Sequence, residues 1–123
     1  MISPEEIESL AVTKFGESVD SIRQINKATV RIYLHRELFI DIFQSLRDPT
    51  KFAFHAKVTG GKIYRLDCRP EKKYQKFKTF PWHFHRESEN KVVVSPFSTK
   101  KRLAIVQFFK FIKKEITEKK SNP

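Results

Sequence analysis

The stretch Thr29-Val30-Arg31-Ile32-Tyr33-Leu34-His35-Arg36-Glu37-Leu38-Phe39-Ile40-Asp41-Ile42-Phe43 decides how this chain folds. Val30, Ile32 and Leu34 alternate with their neighbours, and Leu38, Ile40 and Ile42 stand opposite Phe39, Asp41 and Phe43. Alternation with a period of two marks a strand with one buried face. Between the two runs lie only His35, Arg36 and Glu37, a connector short enough to make the strands an antiparallel hairpin. The nearly continuous apolar character of Leu38 to Leu46 would also suit a helix, but its length and flanking loops favour a strand.

The same period extends in both directions, over Ile22 to Ile25, over Phe52, Phe54, Ala56 and Val58, and over Ile63 to Cys68. Turn residues separate these runs: Asn26-Lys27, Arg47-Asp48-Pro49-Thr50 and Thr59-Gly60-Gly61-Lys62. Phe80 to Arg86 and Lys91 to Val94 read as extended, with Glu87-Ser88-Glu89-Asn90 as the turn between them. The basic stretch Glu71 to Thr79 has no clear period and reads as a lid, a short helix or a loop. Ahead of the strands, Ser3-Pro4-Glu5-Glu6 is a helix start, and Ile7, Leu10, Ala11 and Phe15 form its apolar stripe before Gly16 stops it. After them, Ser98 caps a helix starting near Thr99 that carries Leu103, Ile105, Val106, Phe108, Phe109, Ile112 and Ile116. The expected fold is α+β: an antiparallel β-meander of five or six strands packed by an N-terminal helix and a long C-terminal helix. Residues 1–123 read as a single domain with a frayed tail at about 119–123.

Sixteen of the 123 residues are aromatic, twelve of them Phe, which supplies a core and argues against global disorder. Cys68 is the lone cysteine, so no intrachain disulfide can form, which suits a reducing, cytoplasmic setting. The longest apolar run, Leu103 to Val106, is far short of the ~20 residues a bilayer requires, and the acidic start lacks a signal peptide's basic region. Net charge is +11 and one-sided. Residues 1–61 carry 8 basic and 8 acidic side chains, residues 62–123 carry 17 and 6. The whole excess therefore sits in the second half, as a polyanionic or acidic partner would require.

No phosphate-binding glycine loop and no nucleophile elbow is present, so nucleotide hydrolysis and acyl transfer are disfavoured. Cys68 has no activating neighbour and reads as an ordinary strand residue. Chemistry concentrates instead in Arg65, Asp67 and Arg69 and in Phe80-Pro81-Trp82-His83-Phe84-His85-Arg86. On an extended strand His83 and His85 share one face, with Cα atoms roughly 6.5 Å apart, and Trp82 and Phe84 share the other. One reading makes the rings core and the histidines merely solvated. The other brings the histidines against Arg65 and Asp67: one imidazole takes a 2′-OH proton, a second protonates the leaving 5′-oxygen, cations stabilise the phosphorane, and Asp67 orients a tautomer. Two histidines with a third ligand from His55, His35 or Asp67 would alternatively hold Zn²⁺ or Mn²⁺. Arg69, Lys72, Lys73, Lys76, Lys78 and Arg86, interleaved with Tyr74, Phe77 and Trp82, suit single-stranded RNA, with a hydrated loop as the plain alternative.

Ile63-Tyr64-Arg65-Leu66-Asp67, then Thr79-Phe80-Pro81-Trp82-His83-Phe84-His85 after a basic spacer, resembles the TumE family of toxins from prokaryotic toxin–antitoxin modules. The likeness spans roughly residues 28–115, and its signature positions are Arg65, Asp67, Pro81, His83 and His85. Cys68 and Glu71-Lys72 depart from the family pattern, which tends to have Asn after the Asp and histidines after the following proline. The resemblance implies a small cytoplasmic growth inhibitor paired with a cognate antitoxin, often a helix-turn-helix protein. Together with the residue chemistry, it leads to an RNA-targeting endoribonuclease as the expected function. A non-catalytic binder of RNA or single-stranded nucleic acid and a metal-dependent hydrolase are the alternatives.

Overall fold

The computed structural model describes the backbone of residues 1–121 and the side chains of residues 1–117. Helix α1 (Pro4–Phe15) begins as its sequence dictates: the Ser3 hydroxyl accepts the Glu6 N–H at 3.1 Å, and Pro4 takes the first turn. It ends at Gly16, whose φ of 55° is a left-handed value that glycine adopts without strain. Strands β1 (Val19–Asn26), β2 (Thr29–Leu34), β3 (Leu38–Gln44), β4 (Phe52–Lys57), β5 (Ile63–Asp67), β6 (His83–Glu87) and β7 (Val92–Val94) follow, then helix α2 (Lys101–Ser121). Each strand pairs antiparallel with the next, so spatial order equals chain order and the sheet is open.

The architecture is the expected α+β meander, with seven strands rather than five or six. All seven fall on runs read as extended, so only the count differs; the shortest, β7, lies within Lys91 to Val94 and pairs with His83 to His85. Phe80 to Trp82, read as extended, form a turn instead, closed by the Trp82 N–H donating to the Thr79 carbonyl at 2.8 Å. Helix α2 starts two residues later than its sequence suggests, Ser98 capping the Lys100 N–H at 2.9 Å. The frayed tail lies outside the described side chains and, at 122–123, outside the described backbone.

Both helices cover one face of the sheet. Val30, Ile32, Ile40, Ile42, Phe54, Ala56, Leu66 and Phe84 are buried there against Ile7, Ala11 and Phe15 of α1 and Ala104, Ile105, Phe108, Phe109 and Ile112 of α2. Phe54 meets Phe108 with ring centroids 5.1 Å apart, and Phe97 meets Phe84 at the same separation. Large aliphatic or aromatic side chains buried this way each contribute about 1.5–3 kcal/mol, which is what fixes the register. That register sends the remaining strand residues to the opposite face. Arg31, Asp41, His55, Arg65 and His85 are successive cross-strand partners there, a polar row running across five strands.

Candidate functional site

The antiparallel register of β5 and β6 sets Arg65 directly opposite His85 and Asp67 directly opposite His83. All four therefore share the face away from the helices, where the alternation placed them. Arg65 Nη2 lies 3.1 Å from His85 Nε2 and 2.7 Å from a Glu89 carboxylate oxygen. The imidazoles of His83 and His85 meet edge to face with centroids 5.2 Å apart. His83 Nε2 stands 3.9 Å from Asp67 Oδ2.

Neither histidine is solvated: His83 is 1% exposed and His85 6%. The cover over His83 comes from the segment after β5. Between residues 71 and 82 the chain advances by turns closing every three residues: the N–H groups of Tyr74, Phe77 and Phe80 donate to the carbonyls of Glu71, Tyr74 and Phe77. This brings the Tyr74 ring onto His83, 4.3 Å between centroids, with Phe77 stacked behind it at 5.6 Å. The segment holds one short 3₁₀ helix, Lys72–Tyr74, and otherwise runs as consecutive turns, forming a flap over His83.

The hydrogen-bond partners fix both tautomers. His83 Nδ1 faces the Pro81 carbonyl at 3.2 Å and His85 Nδ1 faces the Glu89 carbonyl at 2.9 Å. A carbonyl only accepts, so each Nδ1 carries the proton and each Nε2 presents a lone pair. At His85 that lone pair accepts from the guanidinium; at His83 it is buried with no partner. Burial pushes the His83 ring below the ordinary histidine value, against the opposing pulls of Pro81 and Asp67. The arrangement therefore offers a neutral basic nitrogen, a cation 3.1 Å from a second imidazole, and a carboxylate. Arg65 adds a buried Nε–H that no protein group accepts.

Other residues singled out in the sequence fall in different places. Asp67 Oδ1 accepts the Arg69 N–H at 3.0 Å, which fixes the carboxylate, and Arg69 is exposed. Lys72, Lys73, Lys76 and Lys78 are exposed along the flap, Lys73 lying 3.7 Å from Glu71. Trp82 and Arg86 are not brought to this face. Trp82 packs on Phe52 with centroids 5.3 Å apart, and Arg86 lies 5.6 Å above the Phe111 ring of α2. Both have the parity of the core side of β6, which the alternation itself implies. His35 lies in the β2–β3 turn, 3.0 Å from Asp20, and is no part of the group. Cys68 is half-buried just beyond β5, and burial raises its thiol, as suits an unreactive cysteine.

Glu89, which touches both Arg65 and His85, is missed by sequence reasoning because it sits in a turn; its offset of four from His85 is the only signal. Asp41 is also unassigned there, and His55 is named only as a candidate third metal ligand. They line, with Phe43, Ala53, Arg65 and Asp67, a shallow depression of about 270 Å³. Asp41 is held by a bidentate pair with Arg31 at 2.7 and 2.8 Å, and burial lowers the His55 ring.

Comparison with protein families matches residues 7–116 to Toxin TumE. The chain belongs to the TumE family. It is accordingly a toxin component of a toxin–antitoxin module, and its partner is a cognate antitoxin. The TumE match starts within α1 and ends within α2, taking in the whole sheet and the group around Arg65. No curated protein and no solved structure matches the chain. Among the described residues of this TumE-family chain, no helix is long and apolar enough to cross a membrane.

Proposed function

We propose that this toxin is an endoribonuclease that cleaves RNA by transphosphorylation at the Arg65–Asp67–His83–His85 group. His83 Nε2 takes the proton of a ribose 2′-OH, and the 2′-oxygen forms a bond to phosphorus. Arg65 moves from His85 onto the phosphoryl oxygens, where its charge and its unpartnered Nε–H stabilise the phosphorane. His85 Nε2, freed by the guanidinium, takes a proton from water and, supported by Glu89 at Nδ1, gives it to the departing 5′-oxygen. The products are a 2′,3′-cyclic phosphate and a free 5′-OH. Asp67 positions His83 and favours its charged form after proton transfer.

What carries this reading is the buried, unpartnered lone pair of His83 lying in one cluster with the paired Arg65 and His85. A basic nitrogen without a hydrogen bond in the interior has a cost, and a reaction partner is a reason for it. Arg69, Lys72, Lys73, Lys76 and Lys78 supply the cations along which an RNA strand would lie, and the depression at Phe43 and His55 has room for an unpaired base. On this reading the toxin works in the cytoplasm on RNA, and its antitoxin is a helix-turn-helix protein that doubles as the module's DNA binder.

The test is cleavage of a single-stranded RNA by the purified chain with end-group analysis. His83→Gln and His85→Gln are each expected to lower the rate by about 10²-fold or more while leaving a 2′,3′-cyclic phosphate as the residual product. Binding that weakens steeply with salt but is never followed by cleavage, with both variants binding equally, would make the protein a non-catalytic RNA or single-stranded nucleic-acid binder instead.

A further inference from the structure

Asp67, His83 and His85 each offer one ligand atom, and all three atoms lie within 4.8 Å of one another. Two features go beyond the presence of a carboxylate near histidines. First, both imidazoles have their Nδ1–H tied to a backbone carbonyl, at 3.2 Å for His83 and 2.9 Å for His85. This is how metal-ligating histidines are held, since the bond fixes the ring and leaves Nε2 as the donor. Second, the His83 Nε2 is fully buried without any partner, aimed 3.9 Å from the Asp67 carboxylate. Two acceptors facing each other in this way repel unless something positive lies between them.

We propose that Asp67, His83 and His85 form a three-ligand site for one divalent transition metal, Zn²⁺ by preference, with Arg65 the cation that occupies the His85 ligand position when no metal is bound. Tetrahedral ligands about 2.0–2.2 Å from Zn²⁺ lie about 3.3–3.6 Å from one another, so small side-chain rotations close the triad. Two nitrogens and one oxygen suit a borderline ion such as Zn²⁺, and do not suit Mg²⁺ or Ca²⁺, which prefer oxygen. Arg65 need not leave the site when the ion enters, because Glu89 holds its guanidinium at 2.7 Å. The same lone pairs serve the ribonuclease reading, but the inference rests on their geometry alone and stands or falls apart from cleavage.

The experiment is calorimetric titration of Zn²⁺ into the chelator-treated full chain at neutral pH. One ion per chain is expected. Asp67→Asn, His83→Gln and His85→Gln are each expected to weaken binding at least tenfold, and His35→Gln to leave it unchanged. Arg65→Met is expected to tighten it severalfold, an effect that a merely structural role for Arg65 would not give. Asp67→Asn keeps the oxygen that accepts the Arg69 N–H, so its melting curve should match the parent's even if the buried histidine variants misfold. No saturable binding, or equal binding by Asp67→Asn and the parent, overturns the site. RNA cleavage that persists in chelator, with no Zn²⁺ binding, removes this inference and leaves the endoribonuclease. Saturable Zn²⁺ binding without cleavage in either state does the reverse.

Discussion

A guanidinium shared between an imidazole nitrogen and a carboxylate is poised rather than locked, and Arg65 is in that position. Replacing it with lysine keeps the charge but not the planar fork, so one ammonium must choose between Glu89, His85 and a phosphate. Arg65→Lys is expected to lower RNA cleavage by about tenfold or more while the melting temperature moves little, which parallel activity and melting measurements would show. Burial also gives the fold a pH dependence. His55 and His83 are held below 6.5, whereas the unfolded chain binds protons at the ordinary value. As pH falls through about 6.5 the unfolded state gains protons that the folded state refuses, so stability is complete above that value and declines below it. Melting temperature should therefore fall between about pH 7.5 and about pH 5.5, and the fall should be smaller in His83→Gln. At this scale Arg65, Asp67, His83 and His85 were legible, because strict alternation leaves only one face for each. That His83 is buried was not, since its cover comes from Tyr74, in a segment without period.

The elements are held by two unlike devices. Phe108 of α2 is fully buried against Phe54 and Phe97. Phe108→Ala is expected to destabilise by about 3–5 kcal/mol, read as a lower urea midpoint at unchanged slope. Gln44, at the end of β3, does with hydrogen bonds what Phe108 does with bulk. It accepts the Ile2 N–H at 2.9 Å, donates to the Ile2 carbonyl at 2.8 Å, and receives Lys101 Nζ at 3.1 Å, joining the chain start and α2 to the sheet. Gln44→Ala should cost about 1–3 kcal/mol in the same assay, since it leaves half-buried partners unpaired. The strands and both helices could be read from period and caps. Gln44 could not, because a polar residue at an inward position looks like a break in the pattern until its partner, distant in sequence, is known. The flap escaped for a related reason: turns closing every three residues have neither the period of a strand nor the stripe of a helix.

For the molecule as a whole, charge and cover are distributed oppositely. The helices occupy one face of the sheet, and the lysines of the flap border the other, where the polar row from Arg31 to His85 also lies. Replacing Lys72, Lys73, Lys76 and Lys78 together by Ala should weaken RNA binding and reduce its dependence on salt, by up to about 0.7 in the log–log slope for each phosphate of a single strand that is no longer neutralised. Fluorescence anisotropy at several salt concentrations measures both. A slope unchanged by the four substitutions would place the RNA elsewhere. The meander itself carries a further consequence. Because Phe84 lies between His83 and His85, sliding β6 by a single residue would bury both imidazoles under α2 and turn an aromatic ring outward. On the proposed ribonuclease reading, a mispaired copy of this toxin would be inactive as well as poorly packed, so the forces that reject errors in the hydrophobic interior would also guard its potency.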